Sequence, residues 1–336
     1  MTFAARPIDG ALKGCDIAVA HNITPFVSTY AWSNGFGAKY ADPATLPPAI
    51  SYSAAFSPDG ATIAVGHDTS PYISTYPWLP GFGTKYANPA SLPIGLVSTV
   101  TFSADGAYIA TADAGSPYIS VYPWNNGFGT KYANPATLPT GIGYGVAFSP
   151  TGNAIAVSHQ TSPFVTAYPW SAGGFGTKYA NPAVLPGSTG FGVTFSPSGN
   201  DIAVASSGGV GVHVYAWSSG FGSKYADPAS PPSGATSITF SPSGSTIAAS
   251  SGGSPYVVAY PWSASGFGTR YANPATLPTG IAWDVAFSPS EADIAVAHEV
   301  TPFLTVYPWN AGFGTKYANP STLPTGNAYG VAWKAP

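Results

Sequence analysis

The chain is poor in charge: Lys, Arg, Asp and Glu make up 7% of its 336 residues, against roughly 25% in ordinary soluble domains. Net charge is −3 with only ten basic side chains, so there is no basic face for nucleic acid and no such partner is expected. The single cysteine, Cys15, excludes an intrachain disulfide framework, and no Cys/His cluster has zinc spacing. Neither a metal nor a cofactor is expected. No apolar run approaches the about 18 residues of a membrane helix, so membrane insertion is not expected. The opening MTFAARPIDG has no long apolar stretch, which predicts no signal peptide. Solubility must then rest on Ser, Thr, Asn, Gly and backbone groups, in a protein that is cytoplasmic or released unless an assembly takes it up.

Apolar material, by contrast, is plentiful. Hydrophobic residues reach 45% and aromatics 14%, which excludes disorder from a shortage of core side chains. The 40 glycines and 35 prolines exclude a protein of long helices, which is rich in Ala, Glu, Lys, Leu and Arg. The decisive feature is a repeat. Tryptophans fall at Trp32, Trp78, Trp124, Trp170, Trp217, Trp262 and Trp309, 45 to 47 residues apart, each in nearly the same text. Examples are SPYISTYPWLPGFGTKYANPASLP at 70–93 and SPYISVYPWNNGFGTKYANPATLP at 116–139.

Each unit reads as four short strands. GVAFSP (145–150) alternates and ends at a proline, and a Ser-Pro-x-Gly turn leads into the apolar NAIAVSH (153–159). FVTAYPW (164–170) alternates again, GGFG turns, TKYA makes a short outer strand, and NPAVLPG connects to the next unit. Four strands in about 46 residues is the period of a propeller blade. The fold predicted is all-β, a single seven-bladed β-propeller over 1–336 with four antiparallel strands per blade. The first unit starts effectively at DIAVAH (16–21), without a first strand, while the chain finishes YGVAWKAP (329–336). The C-terminal strand should therefore complete the N-terminal blade and close the ring, which removes long exposed sheet edges.

FSPDG (56–60), TIAV (62–65) and Y-I-S-T-Y (72–76) resemble the WD40 family, repeat by repeat along the chain. The sequence departs from that family at its tryptophan–aspartate pair, which reads Tyr76-Pro77 here, and no Gly-His precedes the first strand. The text GFGTKYANPATLP is also similar to that of propeller proteins encoded by bacteriophages.

Seven of the ten basic residues share one repeat position: Lys39, Lys85, Lys131, Lys178, Lys224, Arg270 and Lys316. They are candidates for an anion- or glycan-facing ring, or for solvated guards on outer edge strands. The seven repeat tryptophans are candidate sugar-stacking platforms, or lids over the core between blades. His21, His67, His159 and His298 end the second strand of their units and read as polar caps on the following turn rather than as metal ligands. Unit seven alone groups Asp284, Glu291, Asp293 and Glu299. No phosphate loop or nucleophile elbow is present, so no catalytic residue is assigned and no enzyme is expected. The function predicted is a non-catalytic binding propeller, a structural or adaptor protein of a phage virion that contacts other protein subunits of a large assembly or the host surface. The alternative is a multivalent carbohydrate-binding lectin whose partners are surface glycans, its weak sites adding by avidity.

Overall fold

The computed structural model describes residues 15–335; residues 1–14, which include the opening segment read above for a leader, and Pro336 lie outside the described residues. Seven small antiparallel sheets form the blades of a β-propeller. The inner strands are Ser51–Phe56, Val97–Phe102, Gly143–Phe148, Gly190–Phe195, Ser237–Phe240 and Ala282–Phe287 in blades 2 to 7. In blade 1 the inner strand is the C-terminal Ala328–Lys334, which pairs antiparallel with Cys15–His21 from Asp16↔Lys334 to His21↔Ala328. The predicted closure is therefore the observed one, and consecutive inner strands contact one another all the way round the axis.

The second strand of each blade is the hydrophobic heart. Thr62–His67, Ala154–His159 and Asp293–His298 are buried at every position, because a middle strand stacked between two neighbouring blades has no solvated face. Seven apolar clusters fill the seams between blades. In one, Ala18, Ala20 and Val27 of blade 1 meet Ile63, Val65, Tyr76 and Trp78 of blade 2. The Ser-Pro-x-Gly turns form as expected: Gly60 N–H donates to Ser57 O at 2.8 Å, with glycine at φ 66° where a side chain would be strained.

The outer strand is the one departure from four strands per blade. Blades 1 and 5 have four-residue outer strands, Phe36–Lys39 and Phe221–Lys224. Blades 4 and 6 keep only Gly174–Phe175 and Gly266–Phe267, and blades 2, 3 and 7 keep a single bridge such as Trp78↔Phe82. The pairing is thus made by the Gly-Phe segment expected to turn, and the Thr-Lys-Tyr-Ala segment is mostly irregular. The reason lies in the third strand. Blades 1 and 5 carry Ala31 and Ala216 where the other five carry proline, as at Pro77. Proline still accepts a bond there, from Gly83 N–H to Pro77 O at 2.8 Å, but it has no N–H to return, so one rung of the ladder is lost and only the next, Tyr86 N–H to Thr75 O at 2.9 Å, follows it.

Candidate active site

The inner strands bend where they begin. In six of them the register with the second strand slips by one residue, leaving Tyr52, Ser98, Tyr144, Phe191, Trp283 and Tyr329 as the unpaired, bulged residue. A bulge re-aims its side chain, and all six, joined by Thr236 of blade 6, line a cavity of about 420 Å³ on the propeller axis. That volume falls within the roughly 300–1,000 Å³ of small-molecule sites.

The wall is not uniform. Tyr52 and Tyr329 stack with ring centroids 5.2 Å apart, and Trp283 meets Tyr329 edge-on at 5.8 Å. Across the ring Tyr144 packs against Phe191 at 5.1 Å. Two aromatic walls therefore face each other, with the hydroxyl residues Ser98 and Thr236 in the gaps between them.

The residue after each of these seven lining positions adjoins the neighbouring blade. Here stand Ser53, Thr99, Gly145, Gly192, Ser237, Asp284 and Gly330. Glycine is required where backbones nearly touch: a Cβ on Gly330 would lie 2.7 Å from Tyr52 O. Ser53 Oγ accepts the Val100 N–H at 3.2 Å, while Thr99 Oγ1 donates to Tyr144 O at 2.7 Å.

Asp284 is the one carboxylate in this lining. Its Oδ1 accepts from Ser237 Oγ at 2.7 Å and from Val285 N–H at 2.9 Å, and its Oδ2 accepts from Val331 N–H at 2.9 Å. It is deep in the protein yet partly open to the cavity. Burial pushes its pKa up to about 6, against the pull of those three donors. A carboxylate held in one orientation, titrating near neutrality and facing a cavity, is a ready general base.

The acidic group read from the sequence of unit seven does not assemble. Asp284 lines the axial cavity while bonded to blades 6 and 1, whereas Glu291 accepts from Ser243 N–H in blade 6 at 2.9 Å. Glu299 Oε2 accepts from Trp283 Nε1 at 3.4 Å. Asp293 accepts from Trp32 Nε1 and Tyr317 OH, both at 2.9 Å, and binds blade 7 to blade 1. Asp16 does the same for Trp78 and Tyr40, and Asp201 for Trp262 and Tyr225.

The seven repeat tryptophans lie in the seams, with exposures between 2% and 8%. Their faces are covered by edge-on rings, as Trp78 is by Tyr40, Phe56 and Phe82, which leaves no face for a sugar. Each of the seven basic residues reaches the side chain three positions on: Lys39 and Lys224 meet Asp42 and Asp227, and Lys85, Lys131, Lys178, Arg270 and Lys316 meet asparagines. They ring the rim far from the axis.

The histidines cap as read. His67 bridges Thr69 O at 2.7 Å and Ser74 Oγ at 3.1 Å, an arrangement that suits the neutral ring. In blade 5 the pair is reversed, Ser206 Oγ meeting His213 Nε2 at 3.0 Å. In blade 3 Asp113 takes the place of histidine and accepts from Ser120 and Thr111, both at 2.6 Å. Another cavity, of about 710 Å³, opens between blades 1 and 2 beside Cys15.

No protein-family model matches this chain, and no curated protein matches it by sequence. Solved structures do match. A Bacteroides fragilis protein provisionally named a 6-phosphogluconolactonase superposes with a TM-score of 0.74 at 14% identity, over 95% of this chain and 98% of its own. A protein of unknown function from Desulfotomaculum acetoxidans gives 0.72 at 16% identity, over 96% and 99%. The periplasmic gluconolactonase of Pseudomonas aeruginosa gives 0.68 at 17% identity, also over 96% and 99%. At such identities the likeness establishes the seven-bladed fold.

These findings correct the functional expectation. A non-catalytic virion or lectin propeller, and the absence of enzyme activity, do not stand, because whole-length structural counterparts are named as lactonases. A virion location loses its support with them. Among the described residues no helix is long and apolar enough to cross a membrane.

The axial residues do not stand out in the sequence, because they are the positions at which the units differ. That variation is itself the signal. Four residues before the phenylalanine or tryptophan that ends each inner strand, the repeat reads Tyr, Ser, Tyr, Phe, Thr, Trp and Tyr, and the next position reads Ser, Thr, Gly, Gly, Ser, Asp and Gly, where the rest of the repeat is more nearly constant.

Proposed function

We propose that this protein hydrolyses a sugar lactone in the axial cavity, with Asp284 as the general base. The observation that carries the reading is the one carboxylate of the cavity lining, held by three donors, in a cavity whose two aromatic walls suit the apolar faces of a sugar ring. The lactonase names of the structural counterparts agree with it.

In the reaction Asp284 takes a proton from water as the water oxygen bonds to the lactone carbonyl carbon. The ester bond to the ring oxygen then breaks, and that oxygen takes the proton back from Asp284, giving a hydroxy acid. Ser53, whose oxygen already accepts the Val100 N–H, keeps its own hydrogen to donate toward the carbonyl oxygen as negative charge grows. The product ionises, and like charge on Asp284 favours its departure.

The test is acid release from glucono-δ-lactone above the spontaneous rate, at pH 7. Asp284→Asn should lower kcat by about 10²–10⁴-fold, the usual worth of a positioned base. Full activity in that variant would remove Asp284 from the chemistry, and no acceleration with any aldonolactone would remove the proposal.

A further inference from the structure

We infer that the axial cavity selects an uncharged sugar lactone and rejects its phosphorylated form; the inference rests on the lactonase reading above and sharpens it. The ground is the distribution of charge. Among the described residues, no Lys, Arg or His lines the cavity, and its one carboxylic acid is Asp284. Glu299 adds a second carboxylate beside the wall, bonded to Trp283. The described cations are placed elsewhere. Seven sit on the outer edges of the blades, tied to the residue three positions on. The eighth, Lys334, is at the far end of the closing strand, with Nζ 4.0 Å from Asp16 Oδ2.

A phosphate dianion is recognised by arginine forks, lysines or clustered amides. In this cavity the Val331 and Val285 amides that could serve are already taken by Asp284. A phosphorylated ring would give up its hydration, find no counter-charge, and approach a carboxylate of like sign, whose repulsion is weakly screened in a site of low dielectric. A neutral ring meets aromatic faces and hydroxyls, and incurs none of these costs.

Two measurements separate this inference from the reading beneath it. The first compares kcat/KM for glucono-δ-lactone and for its 6-phosphate at pH 7. The second compares binding, by calorimetry, of the unreactive neutral ring 1,5-anhydroglucitol and of its 6-phosphate. At least about tenfold in favour of the uncharged member in each pair is expected, equal to about 1.4 kcal/mol. Equal or greater use of the phosphorylated lactone overturns the inference and leaves the lactonase reading intact. Absence of hydrolysis with selective binding of the neutral ring does the reverse, and absence of both overturns both. Placing a cation in the wall, as Ser98→Arg or Thr236→Lys, should narrow the preference by about tenfold or more. If two folded variants of this kind leave it unchanged, charge is not its cause and the inference fails.

Discussion

Acid should unfold this propeller unusually early, and the histidines are the reason. His21, His67, His159, His213 and His298 are all buried, and burial pulls each pKa from 6.5 down to about 4. A lowered folded pKa contributes stability that is present above 6.5 and is lost as pH falls toward 4. At pH 5 each neutral ring withheld from protonation costs about 2 kcal/mol relative to pH 7, so the five together cost about 9 kcal/mol. Two aspartates act in the opposite sense. Burial raises Asp113 from 3.8 to about 7 and Asp284 to about 6, so their burial weakens the fold as pH rises through those values and strengthens it on acidification. Between pH 7 and pH 5 they return about 4 kcal/mol, leaving a net loss of about 5 kcal/mol. Whole domains are stable by only about 5–15 kcal/mol. Urea unfolding at pH 7, 6 and 5 should therefore show a midpoint that falls steeply, and His67→Asn should remove about 2 kcal/mol of the pH dependence. A midpoint that stays level or rises between pH 7 and 5, or a His67→Asn protein with the full slope, would refute the reasoning.

Other expectations concern the ring and its site. Lactone hydrolysis should rise with pH through about 6 as Asp284 ionises, and a rate that is flat from pH 5 to 8 would exclude it as the base. Asp284→Asn should stay within about 1 kcal/mol of the parent in urea unfolding at pH 7, since it removes a buried charge along with one acceptor. Removing residues 328–336 takes the inner strand from blade 1 and bares its second strand, which should cost several kcal/mol and most of the soluble yield; an unchanged melting temperature would mean that the closing pairing is wrong. Asp16→Ala leaves Trp78 Nε1 and Tyr40 OH without partners and should cost about 1–3 kcal/mol, read as a fall in the thermal midpoint. Pro77→Ala should restore an amide donor to the third strand of blade 2 and lengthen its outer strand, seen as slower amide exchange between Phe82 and Lys85.

What the sequence made legible was whatever seven copies must share. Trp78 and its counterparts recur because every seam needs the same ring in the same place, and YGVAWKAP was recognisable as an inner strand because six others resemble it. The outer strands were harder, since one proline at Pro77 or its equivalents decides between a ladder and a bridge. The cavity was hidden for a physical reason. Tyr52, Trp283 and Tyr329 converge only because the strands bulge and the ring closes, and nothing in a linear reading brings residues nearly 280 positions apart to stacking distance. The repeated lysines and tryptophans attracted attention by their regularity, yet regularity in a ring marks the parts that serve every blade alike.

The bulges carry a lasting consequence. Because six of the inner strands each present one unpaired side chain to the axis, the protein has six sockets whose contents can be exchanged one at a time while the ladders behind them stay in register. A change from serine to arginine or from tyrosine to phenylalanine in one socket alters what the pore welcomes and leaves the seams between wedges untouched. Such a scaffold can drift from one small molecule to another without passing through an unfolded ancestor.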